Sequence, residues 1–147
     1  MKILILGDVV GSSGRKAIKK YLSQIIEKYR INFSIINGEN AADDGKGITN
    51  KIAIELFSQG VDVITSGNHI WDKEETLKYI EKEKRLLRPA NLVNGSPGRG
   101  YGIYFSKDQK YKIAVINLMG NVFMRKTEDV FKVAKVINDK IILKKDV

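Results

Sequence analysis

At 147 residues, 43% of them hydrophobic, the chain can bury one continuous core, and a second domain is not expected. It contains no cysteine, which excludes disulfides and thiolate metal sites and leaves oxygen and imidazole donors for any metal. The formal charge of +9 is uneven: residues 1–30 carry +5, residues 31–80 carry −4 and residues 81–147 carry +8, so the acidic middle suits cations and its basic flanks suit an anionic partner.

Residues 2–6 crowd Ile and Leu together without a polar side, which predicts a strand buried on both faces. Gly7, Gly11 and Gly14 follow in a loop whose backbone N–H groups, ahead of a helix, would favour an anion. That loop lacks the middle glycine of G-x-G-x-x-G and the ending of a Walker loop, so neither a dinucleotide site nor a P-loop is assigned. From Arg15 the apolar positions Ile18, Tyr21, Leu22, Ile25, Ile26 and Tyr29 recur at helical spacing, which makes the tyrosines core or rim residues. A second buried strand ends in residues 34–40, S-I-I-N-G-E-N, where Gly38 permits a sharp turn that aims Glu39 outward. After a polar loop at residues 41–47, Thr49 reads as an N-cap. Ile52, Ala53, Leu56 and Phe57 form the apolar face of its helix, and Gly60 stops it. A third strand, residues 61–64, runs into Gly67-Asn68-His69. Strand and helix alternating over 65 residues predict parallel βαβ units.

Beyond His69, Asp72 and Glu75 read as a capping box for a short helix through about Ile80, which gives Asp72 a structural task and keeps it off the candidate list. Residues 88–100 are irregular and hold both prolines. Residues 102–105 and 111–117 read as a strand pair about a polar turn. Thr127 then caps a last helix with Phe131, Ala134, Ile137 and Ile141 on its face. No apolar run approaches the roughly 20 residues of a bilayer span, and the N-terminus lacks the order of a secretory signal. A cytoplasmic protein with no membrane partner is expected.

Open α/β sheets bind ligands beyond the carboxyl ends of their strands. Three predicted strands end there in Asp8, Glu39 and the pair Asn68-His69. Singly, each has an ordinary role: Asp8 as a helix cap, Glu39 in an ion pair with a lysine, Asn68 in a turn. Together they suit metal chemistry. The two oxygens of Glu39 can bridge two divalent ions about 3.5–4 Å apart, an arrangement that clamps a phosphoryl group and generates hydroxide. Asp8 and Asn68 can complete the two shells, and His69, the only histidine in the sequence, is placed to protonate a departing alkoxide.

Seven short motifs recur in order: G-D-V-V-G-S-S-G-R, I-N-G-E-N-A-A, G-K-G-I-T, G-N-H-I-W-D, L-R-P-A-N, P-G-R-G-Y and A-V-I-N-L. With them the chain resembles the YmdB-type bacterial metallophosphoesterases, a branch of the calcineurin-like superfamily. The resemblance implies an α/β fold, the N-terminal half of an αββα sandwich. It also implies a dinuclear phosphodiesterase using iron or manganese on a small cyclic nucleotide. Asp8, Glu39, Asn40 and Asn68 would be metal ligands and His69 the proton donor. Asn40 enters on the resemblance alone.

Val10 stands where the wider superfamily has the histidine of D-x-H, a feature the YmdB-type branch shares. Residues 119–130 lack that family's glutamine and proline-rich run, so no role is carried over to them. The family continues with histidine motifs, D-F-H-A and G-T-H-T-H, that do not occur in this sequence. Residues 1–147 are therefore expected to be a single metallophosphoesterase-like domain, truncated at its C-terminus. Such a domain would hold at most one weakly bound ion and leave apolar surface open to self-association as a homo-oligomer. The alternative is a non-catalytic nucleotide- or nucleic-acid-binding domain with RNA as partner, suggested by the charge and the glycine loop, or an inactive remnant.

Overall fold

A computed structural model describes residues 1–93, 95–124 and 127–143. Strands β1 (Ile3–Asp8), β2 (Phe33–Asn37) and β3 (Val63–Thr65) alternate with helices α1 (Gly11–Tyr29) and α2 (Asn50–Ser58), and α3 (Glu74–Lys82) follows. The three strands form a parallel sheet in the order β1-β2-β3, as the alternation predicts. Leu86 and Leu87 extend it by a parallel bridge beside Ile64. Then β4 (Tyr101–Phe105) and β5 (Lys112–Ile116) make an antiparallel hairpin, and α4 (Val130–Leu143) packs against β5.

Alternation along the strands sorts the core into two clusters. On one face of the parallel sheet Leu4, Leu6, Ile36 and Ile64 meet Ile18 and Leu22 of α1, Ile52, Ala53 and Leu56 of α2, and Ile80 of α3. On the other face Phe33, Val63 and Leu87 meet Ile113 and Val115 of β5, with the Tyr104 ring 6.0 Å from that of Phe33. The hairpin therefore lies across the sheet, and helices cover the sheet's opposite side. Polar staples join the layers near the strand ends. Asn117 Nδ2 donates to the carbonyls of Ser66 (2.8 Å) and Leu87 (3.0 Å), and Ser66 Oγ donates to Leu87 O (2.7 Å).

The hairpin stops short of β1, which is where expectation and structure part. Ile3 and Ile5 share the face of Phe33 and Ile35 by register, yet Ile5 is 71% exposed. Among the described residues β1 is an edge strand covered on one face only. In the expected anion loop α1 begins at Gly11, whose N–H is taken by Asn40 O (2.9 Å), and the Gly14 N–H makes the first helical bond, to Val10 O (3.0 Å). Tyr21 and Tyr29 are rim residues, each about half exposed.

Thr49 caps α2 as expected, its Oγ1 accepting from the Ile52 N–H at 3.2 Å. The capping box at Asp72 and Glu75 does not form. Asp72 turns to His69, Glu75 accepts from the Asn50 N–H (3.0 Å), and α3 starts at Glu74 with Lys73 as its N-cap residue, which makes no side-chain cap. For α4 the cap is Asp129, whose Oδ1 accepts from the Lys132 N–H (2.7 Å), while Thr127 bonds to Asn121. On that helix Phe131 stands in solvent, against expectation, while Ile137 and Ile141 are buried. Among the described residues no helix is long and apolar enough to cross a membrane.

Candidate active site

The pairing of Asp8 with Asn37, and of Asn37 with Thr65, sets the ends of β1, β2 and β3 in one row. A break in register between Leu6 and Asp8 redirects Asp8 at its strand end. After β2 the chain turns tightly. Gly38 donates to Thr65 O (2.9 Å), the Ala41 N–H returns to Gly38 O (3.1 Å), and Asn37 Oδ1 accepts from the Glu39 N–H (2.9 Å). A Cβ on Gly38 would stand 2.9 Å from Ile64 Cγ2, so glycine is required there for space.

Glu39 lies directly on the backbone that follows β3: a Cβ built on Gly67 would fall 1.9 Å from Glu39 Oε2. That oxygen is buried and, among the described residues, has no hydrogen-bond partner. Burial raises the pKa of the Glu39 carboxyl, and the nearby charge of Asp8 raises it further. His69 and the Asn37 side chain act in the opposite direction. Asp8 Oδ2 in turn accepts from Asn40 Nδ2 at 2.7 Å. Asn68 is exposed, and it shares a cavity of about 280 Å³ with His69, Asp72, Phe123 and Met124. His69 Nδ1 stands 2.6 Å from Asp72 Oδ2.

The structure thus gathers the sequence candidates at one end of the sheet. Asp8 is bonded to Asn40, Glu39 rests on Gly67, and Asn68 with His69 follow that glycine. Two contributors were missed from sequence. The role of Gly67 is a matter of space, and no motif announces it. Asp72 stands three residues after His69 in G-N-H-I-W-D, a visible spacing that the helix-cap pattern obscured. A larger cleft of about 600 Å³ between Arg88, Tyr101 and α4 contains none of these donors.

The donor set can be tested against a cation. Among the described residues no three His, Asp or Glu side chains cluster as a metal site needs. Two carboxylates and two amide oxygens remain, which suit a hard or borderline divalent ion. The orphaned Glu39 Oε2, buried beside a second carboxylate, is the group whose cost a cation would relieve. The residues fit a cation as part of a donor set. Gly67→Ala should therefore displace the Glu39 carboxylate and weaken divalent-ion binding by about 10-fold or more. Gly7→Ala, with nothing within 4 Å of the added methyl, should leave binding unchanged. Isothermal titration with Mn²⁺ compares the two.

Fold and site together define an α/β domain whose oxygen donors converge beyond the ends of parallel strands. The sequence profile of the YmdB-like protein family matches residues 4–147, and the chain belongs to that family. It is 48% identical over 131 residues to a Bacillus subtilis (strain 168) protein named 2′,3′-cyclic-nucleotide 2′-phosphodiesterase, covering 89% of this chain and 48% of the relative. Two crystal structures superpose with a TM-score of 0.85. One is a novel phosphatase from Mycoplasma pneumoniae, 38% identical, with 99% of this chain and 52% of that one covered. The other is a hypothetical protein from Thermus thermophilus, 31% identical, with 93% and 52% covered. The chain spans about half the length of each of these relatives.

Proposed function

We propose that this chain supplies one part of the dinuclear metal site of a phosphodiesterase that hydrolyses cyclic nucleotides. The observation that carries the reading is the buried, unpartnered Glu39 Oε2 against Asp8 at the strand ends. In this reading Glu39 would be shared by the two ions, Asp8 and Asn40 would serve one and Asn68 the other. Iron(II) and manganese(II) accept such oxygen donors. When bound, such ions neutralise the phosphoryl oxygens and lower the pKa of a bound water. The remaining donors would come from sequence that the longer relatives carry outside the matched span. His69 would give a proton to the departing ribose oxygen as its bond to phosphorus breaks. The name of the Bacillus subtilis relative supports a 2′,3′-cyclic nucleotide as substrate. The alternative of an RNA-binding domain keeps its charge argument, although the N–H groups of Gly11 and Gly14 are already bonded within the chain.

The test joins residues 1–147 to the remainder of the Bacillus subtilis relative and measures hydrolysis of 2′,3′-cyclic AMP with Mn²⁺ and with a chelator. Turnover that requires metal in the fusion, and none by residues 1–147 alone, is expected. Turnover that survives chelation, or salt-sensitive RNA binding with no hydrolysis under any metal, would overturn the proposal.

A further inference from the structure

We infer that Asp72 is the positioning residue for His69, fixing the ring with its Nδ1–H toward Asp72 and leaving Nε2 as the nitrogen that meets substrate. This rests on the role proposed for His69. The Nδ1 to Oδ2 distance of 2.6 Å is short for a nitrogen–oxygen contact, as expected when the acceptor is a carboxylate. The bond a histidine makes through one nitrogen decides which nitrogen remains for chemistry.

Three further observations mark the pair as built rather than incidental. The backbone itself brings the two together: the Ile70 N–H returns to Gly67 O (3.4 Å) and the Asp72 N–H to His69 O (3.1 Å). Gly47, at φ +77°, is pressed against this turn, where a Cβ would come within 3.1 Å of His69 O and 3.3 Å of Asp72 Cβ. The loop holding Gly47 is tied to the same turn by Lys73 Nζ to Asp44 Oδ2 at 2.6 Å.

In the step this supports, the imidazolium Nε2–H passes its proton to the departing oxygen and the ring becomes neutral. Nδ1–H stays on Asp72 throughout, and solvent returns the proton to Nε2 for the next cycle. Asp72 acts through His69 and needs no contact with substrate.

Because His69 is the only histidine in the sequence, long-range ¹⁵N–¹H correlation on uniformly labelled residues 1–147 reads a single imidazole. At alkaline pH the wild-type ring is expected as the Nδ1–H tautomer, and Asp72→Ala should shift it to predominantly Nε2–H. Backbone amide spectra check that the variant remains folded. In the fusion, the isosteric Asp72→Asn should lower kcat by about 10–100-fold, with KM and metal content unchanged. A wild-type ring carrying its proton on Nε2, a tautomer indifferent to Asp72→Ala, or an unchanged kcat in Asp72→Asn would each overturn the inference. If the fusion hydrolyses no phosphodiester, the proposed function falls while the tautomer measurement still decides the role of Asp72.

Discussion

Glu39→Gln is expected to raise the melting temperature of the metal-free chain and to remove the rise that Mn²⁺ gives the wild type. The two effects have one cause. In the metal-free chain a carboxylate oxygen is buried with no partner among the described residues, close enough to Asp8 that both burial and like charge raise its pKa. The amide keeps the shape and drops the charge. Part of the carboxyl faces solvent, so screening holds the gain to about 1 kcal/mol or less, which for a chain of this size is about 2–4 °C. The sign with pH follows from the direction of the shift. A carboxyl whose folded pKa lies above its ordinary value of 4.5 costs nothing while protonated, and stability falls as pH rises through the raised pKa. The gap between variant and wild type should therefore be absent in acid and open toward neutrality. Differential scanning fluorimetry at both pH values, with and without Mn²⁺, measures this. A variant less stable than the wild type in the metal-free state would contradict it.

His69→Ala is expected to separate proton transfer from metal binding. The ring is bonded to Asp72, and neither partner belongs to the proposed donor set, so the fusion should keep its metal. Its turnover should drop by about 10²–10⁴-fold, the usual cost of losing a general acid. A substrate whose leaving group needs no proton, such as a p-nitrophenyl ester, should lose much less. Metal loss in His69→Ala equal to that in Glu39→Gln would end the division of roles.

Much of this site was legible because the three strands announce themselves by apolar runs and end in glycine-led turns carrying Glu39, Asn68 and His69. Parallel pairing then followed from the alternation with helices. What was not legible depends on distant neighbours. The composition of residues 2–6 is that of a doubly covered strand, but whether Ile5 is covered depends on how far the hairpin of β4 and β5 reaches, and it does not reach β1. Asp72 satisfied two patterns at once, helix cap and histidine partner, and only the turn from Gly67 to Asp72 decides between them. Thr127 was read as the cap of α4, but Asp129, directly before the helix, takes that role, and Phe131, read as part of the apolar face, is exposed. Gly67 carried no sequence signal at all, because the carboxylate that needs its missing side chain comes from another strand end.

The proposed site requires that the strand ends of this chain hold a cation through Glu39. An electron paramagnetic resonance titration of residues 1–147 with Mn²⁺ tests it without recourse to catalysis, since free and bound Mn²⁺ are read directly. The wild type should show saturable, weak binding of a single ion. Glu39→Gln should reduce the affinity by a factor on the order of 100 or more, beyond the 10–100-fold typical of an outer-shell partner. Equal Mn²⁺ binding by wild type and Glu39→Gln, or none by the wild type at any concentration, would contradict the account.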